Sequence, residues 1–116
     1  YATTFAALGQ PIPASHYLIS YIGQKVPVAG YEHPGTEALG RAATETLEES
    51  YNACLLRNHG VVTVGDDAAA ALESALMVEF CARIHYQAVS IGDPHVLDEE
   101  TVEELVEDMA AYRSSN

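Results

Sequence analysis

Apolar positions form short runs broken by Pro, Gly and Asn over much of the chain, then take up helical spacing at its end. Tyr1 to Leu8 (YATTFAAL) suits a helix closed by Gly9, and Gln10 to Pro13 (QPIP) is a connector. Ser15 is placed to cap a helix running to Gly23, with Leu18, Ile19 and Ile22 on one side. Val26 to Ala29 (VPVA) predicts a short strand, which Pro27 assigns to an edge or a strand start. After a loop over Gly30 to Gly35, Thr36 predicts the cap of a helix reaching about Glu49. The apolar runs Ala53–Arg57 and Val61–Val64 flank Asn58-His59-Gly60, a tight strand–turn–strand signal.

Asp66 and Asp67 favour the start of a long helix over Ala68–Val89, and another begins near Asp98 with Glu99 and Glu100 in its first turn. In the latter, Val102, Leu105, Val106 and Met109 fall at i, i+3, i+4 and i+7, one stripe that docks on a core. Long helices around few strands indicate a layered α/β arrangement. So small a sheet usually needs further strands, so these elements read as part of a larger one. No repeat or linker interrupts the chain, which opens at Tyr1 without an initiator Met, as processing, a chosen boundary or missing upstream sequence would each produce.

Composition is ordinary for a globular domain, with 48% hydrophobic residues, but 17 acids against five bases give a net charge of −12. That surface repels phosphate backbones and anionic membranes, so neither nucleic acid nor membrane is an expected partner. Eight of the acids lie from Asp93 to Asp108 with no Lys or Arg among them, and they read as a solvated helix face. Lys25 is the only lysine; an acid-rich, lysine-poor surface suits a high-salt cytoplasm. No apolar run approaches a membrane span, and a cytoplasmic location is expected. Cys54 and Cys81 sit in apolar settings (ACLL, EFCARI) and predict buried thiols rather than a disulfide framework or a zinc knuckle.

His59 is the first candidate for chemistry. A turn between two strands can aim its imidazole, with Gly60 expected to supply the unusual backbone conformation. Neutral imidazole is a good zinc ligand, but catalytic zinc takes three protein ligands, and from spacing alone an ordinary turn histidine bonded to backbone is the better reading. His16, His33, His85 and His95 complete no site by local spacing; His85 reads as packing or surface. Tyr17, Tyr21, Tyr31 and Tyr112 are the notable hydroxyls, each able to serve as a tuned acid or to sit as an amphipathic ring at a core edge.

From LLRNHG (55–60) outward, the sequence resembles the class II aldolase/adducin family, and within it the fuculose-phosphate aldolases. PIPASHYLISYIG (11–23), VPVAGYEHPGTEAL (26–39), NACLLRNHGVVTVGDDAAAAL (52–72) and the acidic closing helix with Tyr112 stand in family order over nearly the whole chain. The resemblance implies an α/β fold, layered α/β/α with a mainly antiparallel central sheet, of which residues 1–116 are the C-terminal part of a single domain. It implies zinc-dependent cleavage of a ketose phosphate such as fuculose 1-phosphate to dihydroxyacetone phosphate and an aldehyde. A 4-epimerase or dehydratase on the same fold, or an adducin-like non-catalytic module, are the alternatives. It implies that His59 is one of three zinc-binding histidines, the other two forming an His-x-His segment just before the stretch matching Tyr1–Thr4. Tyr17 then lines the aldehyde side, and Tyr112 is a proton donor reaching the site of an adjacent subunit of a homotetramer. Pro34 stands where the fuculose-phosphate enzymes carry an aromatic side chain, a departure that bears on the aldehyde. With a single ligand, this chain alone is expected to bind the metal weakly and to turn over nothing.

Overall fold

A computed structural model describes residues 1–48 and 50–114. The order is α1 (Ala2–Leu8), a 3-10 helix (Tyr17–Tyr21), β1 (Val28–Ala29), α2 (Glu37–Leu47), β2 (Ala53–Leu56), β3 (Gly60–Thr63), α3 (Ala68–Ile91) and α4 (Glu99–Ser114). The three strands lie in the order β1-β2-β3, with β1 parallel and β3 antiparallel to β2. Cys54 faces Val62 and Leu55 faces Val61 in the antiparallel register.

All four residues of β2 are buried, because helices cover both its faces. Cys54 and Leu56 meet Leu39, Ala42, Ala43 and Leu47 of α2 on one side. Ala53 and Leu55 point the other way, into a larger core with Phe5 and Ala6 of α1, Ile12, Ile19, Ile22, Val78 and Cys81 of α3, and Val102 of α4. Period-two alternation of the strand thus feeds two apolar layers, which is why β2 reads as a continuous apolar run. The expected layered α/β/α arrangement is present, its sheet being mixed through β1.

The caps follow the sequence closely. Gly9, at φ 64, ends α1, with its N–H donating to Ala6 O and that of Gln10 donating to Phe5 O, the paired bonds of a Schellman closure. Thr36 Oγ1 accepts from Leu39 N–H, Asp67 Oδ1 from Ala70 N–H and Asp98 Oδ1 from Thr101 N–H. A Cβ on Gly65 would stand 2.7 Å from Ala71 N, so only glycine lets the chain leave β3 and fold directly onto the start of α3. The eight acids from Asp93 to Asp108 are all exposed. Both cysteines are buried and free, and burial raises their thiols, Cys81 to about 11. Among the described residues no helix is long and apolar enough to cross a membrane.

Three expectations are corrected. The segment after Ser15 is a five-residue 3-10 helix, too short for α-helical propagation between a proline-rich connector and Gly23. Its cap is His16, whereas Ser15 Oγ is spent on His85 Nδ1 at 2.6 Å. Pro27 divides the 26–29 run: Val26 pairs only with Ile12, and the strand itself is Val28–Ala29. The last helical residue of α2 is Leu47, with Glu48 as its cap; the expected end near Glu49 lies outside the described residues.

Candidate active site

The β2–β3 connection is a turn over Leu56–His59, closed by the His59 N–H donating to Leu56 O at 2.9 Å. Its left-handed residue is Asn58, at φ 60; Gly60 already belongs to β3. This corrects the assignment of that conformation to Gly60. Asn tolerates positive φ better than most side chains, and a single such residue at the third turn position is the type II signature. The turn is moored to α1 by the Asn58 N–H donating to Ala6 O (2.9 Å) and by Asn58 Nδ2 reaching Ala7 O (3.5 Å). Thr3 of α1 lies beside Gly60. His59 is exposed at this corner, and among the described residues no hydrogen bond engages its ring. The imidazole is therefore available to an external partner and sits next to the first helix of the chain.

A metal needs more than this. Among the described residues no three His, Cys, Asp or Glu side chains converge on a common point. Two of the remaining histidines have other work. His85 bonds Ser15, packs its ring 5.7 Å from that of Phe5, and is held below the usual histidine value by burial. His16 caps the 3-10 helix and stacks on Tyr17.

Tyr17 and Tyr112 come together. With Tyr21, Leu105, Asp108 and Met109 they line a groove of about 410 Å³ between the 3-10 helix and α4. Tyr17 is 51% and Tyr112 65% exposed, so both rings present themselves to the groove or to solvent rather than to the core. His59 does not line it. The apolar stripe of the last helix is thus shared: Val102 is buried in the core, whereas Leu105 and Met109 are half-buried and floor the groove. Asp108 was not singled out from the sequence, although Leu105, Asp108, Met109 and Tyr112 repeat at i, i+3, i+4 and i+7 and so share a helix face.

Residues 1–86 match the family described as Class II Aldolase and Adducin N-terminal domain. The chain belongs to this family. Among curated class II aldolase relatives, it is 41% identical over 112 residues to a 5-deoxy-D-ribulose 1-phosphate aldolase of Bacillus thuringiensis serovar kurstaki, covering 97% of this chain and 52% of that protein. It is 33% identical over 113 residues to a 5-methylthioribulose-1-phosphate/5-deoxyribulose-1-phosphate aldolase of Rhodospirillum rubrum, covering 97% and 51%. A solved L-fuculose 1-phosphate aldolase superposes with a TM-score of 0.91 at 38% identity, over 95% of this chain and 51% of its own. The class II aldolase fold is therefore shared, and the chain spans about half the length of these relatives.

Proposed function

We propose that the protein carrying this chain is a metal-dependent aldolase that splits a deoxyketose 1-phosphate into dihydroxyacetone phosphate and a short aldehyde. The observation that carries this reading is His59, an exposed imidazole with no hydrogen-bond partner on its ring among the described residues, on a turn fastened to the first helix of a class II aldolase chain. The similarity to two deoxyribulose-phosphate aldolases supports a five-carbon substrate ending in a methyl group, with fuculose 1-phosphate as the six-carbon counterpart. The groove floor of Leu105 and Met109 suits the apolar end of such an aldehyde.

Zinc, held by His59 and by ligands from outside the described residues, would supply Lewis-acid stabilisation of negative charge on the ketose oxygens. This chain's tyrosines serve the aldehyde side, and the proton that C3 gains comes from an acid outside the described residues. Cleavage breaks the C3–C4 bond, the C4 hydroxyl surrenders its proton, and C3 gains one. Tyr17 orients the departing aldehyde. Tyr112 exchanges the proton on the aldehyde oxygen, giving it in the synthetic direction and taking it in cleavage. Because Tyr112 lies far along α4 and His59 does not line its groove, we place the two in one site across neighbouring copies of a cyclic tetramer in the cytoplasm.

The test is release of triose phosphate from 5-deoxyribulose 1-phosphate and fuculose 1-phosphate by the full-length protein with zinc. Tyr112→Phe should lower kcat about 100-fold or more. His59→Ala should cost more than the roughly 100-fold typical of second-shell changes at metal sites. Conversion of a sugar phosphate to an isomer or a dehydrated product without triose phosphate would replace cleavage by epimerisation or dehydration. Full activity of His59→Ala would remove the metal role.

A further inference from the structure

Three rings stand in series between the core and the groove, and what they imply rests on the role proposed for Tyr17 while going beyond it. Tyr17 is 51% exposed, so burial does not fix the direction of its hydroxyl. Its ring is instead stacked on that of His16, centroids 5.0 Å apart and planes 27° from parallel. His16 is itself fixed twice. Nδ1 accepts the Leu18 N–H at 3.1 Å, which puts the ring proton of the neutral imidazole on Nε2. The ring also abuts Phe80 of α3 edge-on, centroids 4.9 Å apart and planes 87° apart, and Phe80 packs against the main core. Edge-to-face and offset-stacked pairs are the arrangements aromatic quadrupoles favour.

We propose that His16 is a positioning residue for the aldolase reaction, transmitting the rigidity of the α3 core to Tyr17 and so holding the tyrosine hydroxyl over the groove. His16 does not itself line the groove. Its two attachments have separate chemistry. The cap needs an acceptor, and the stack needs a ring. His16→Asn keeps an acceptor suited to a helix N-terminus and removes the ring; His16→Phe keeps a ring and removes the acceptor.

The experiment measures kcat and KM for triose-phosphate release by the full-length protein with zinc, for His16→Asn, His16→Phe, Tyr17→Phe and the double variant H16N/Y17F, together with Tm. Loose placement of a reacting group costs up to about 100-fold, so His16→Asn is expected to lower kcat about 10-fold with little change in Tm. His16→Phe should retain most of kcat while losing thermal stability. In the Tyr17→Phe background His16→Asn should cost nothing further, because the group it positions has gone. An equal loss in both backgrounds, or no loss with Tyr17 present, overturns the inference. Full activity of Tyr17→Phe would remove the functional role of Tyr17 instead. The stack is then decided by NMR of ring-labelled tyrosine in the same protein: Tyr17 ring-proton shifts that move in His16→Asn uphold it, and unchanged shifts overturn it.

Discussion

The turn that presents His59 depends on one residue in a left-handed conformation, and substitution at Asn58 tests that directly. Asn58 sits at φ 60 in an exposed position. Its backbone N–H bond to Ala6 O does not depend on the side chain and survives any non-proline change. Its amide contact with Ala7 O is long, at 3.5 Å, and exposed, so its loss costs little. What remains is the backbone. The left-handed region costs an ordinary L-residue about 1–2 kcal/mol, and a β-branched one lies at the upper end. Glycine pays no such penalty but gives up roughly 0.5–1 kcal/mol of chain entropy, which nearly cancels its gain over Asn. The expected order of stability is Asn58→Gly close to wild type, then Asn58→Ala about 1 kcal/mol lower, then Asn58→Val about 2 kcal/mol lower. Between Gly and Val this is roughly a 30-fold difference in the folding constant. Urea denaturation followed by far-UV circular dichroism would show it as a displaced midpoint at constant slope. Equal midpoints for the Gly and Val variants would mean that the turn is not left-handed at Asn58, and the account of how His59 is aimed would fail.

Three further outcomes are expected. Burial depresses His85 below its usual 6.5, so on acidification the unfolded chain takes up the proton first; stability is full above that value, falls as pH drops through the depressed one, and His85→Asn should flatten this part of a Tm profile from about pH 8 to about pH 5. An unchanged slope would exclude His85 as its source. With both cysteines buried and the Cys81 thiol raised to about 11, neither should react promptly with a disulfide reagent until urea unfolds the chain; fast labelling of native protein would contradict the core described. A net charge of −12 should make Tm rise toward about 1 M salt, where the screening length is roughly 3 Å, and a flat response would show that self-repulsion is not destabilising.

What could be read from residues was mostly local. Gly9, Thr36, Asp67 and Asp98 each have a chemistry that suits a helix end, and each marks one. The β2–β3 hairpin was legible because turn residues separate two β-branched or aliphatic runs. The misreadings arose where a residue had two uses and the tertiary structure chose between them. Ser15 could cap a helix, but His85, 70 positions away, claims its hydroxyl and leaves the cap to His16. Asn58 and Gly60 both tolerate a left-handed backbone, and the strand register settled it by placing Gly60 opposite Leu56. Of the site, the meeting of Tyr17 with Tyr112 is set by α4 docking on the 3-10 helix, a contact no local pattern encodes.

The outer side of β3 has no strand beside it among the described residues, and Val61 within it and Val64 just after it are exposed. Unpaired backbone with β-branched neighbours is a template for another extended segment. Mutual repulsion between acid-rich copies of this chain opposes such zippering in dilute buffer. Added electrolyte therefore acts in two directions at once, tightening each molecule while lowering the barrier that keeps two such rims apart.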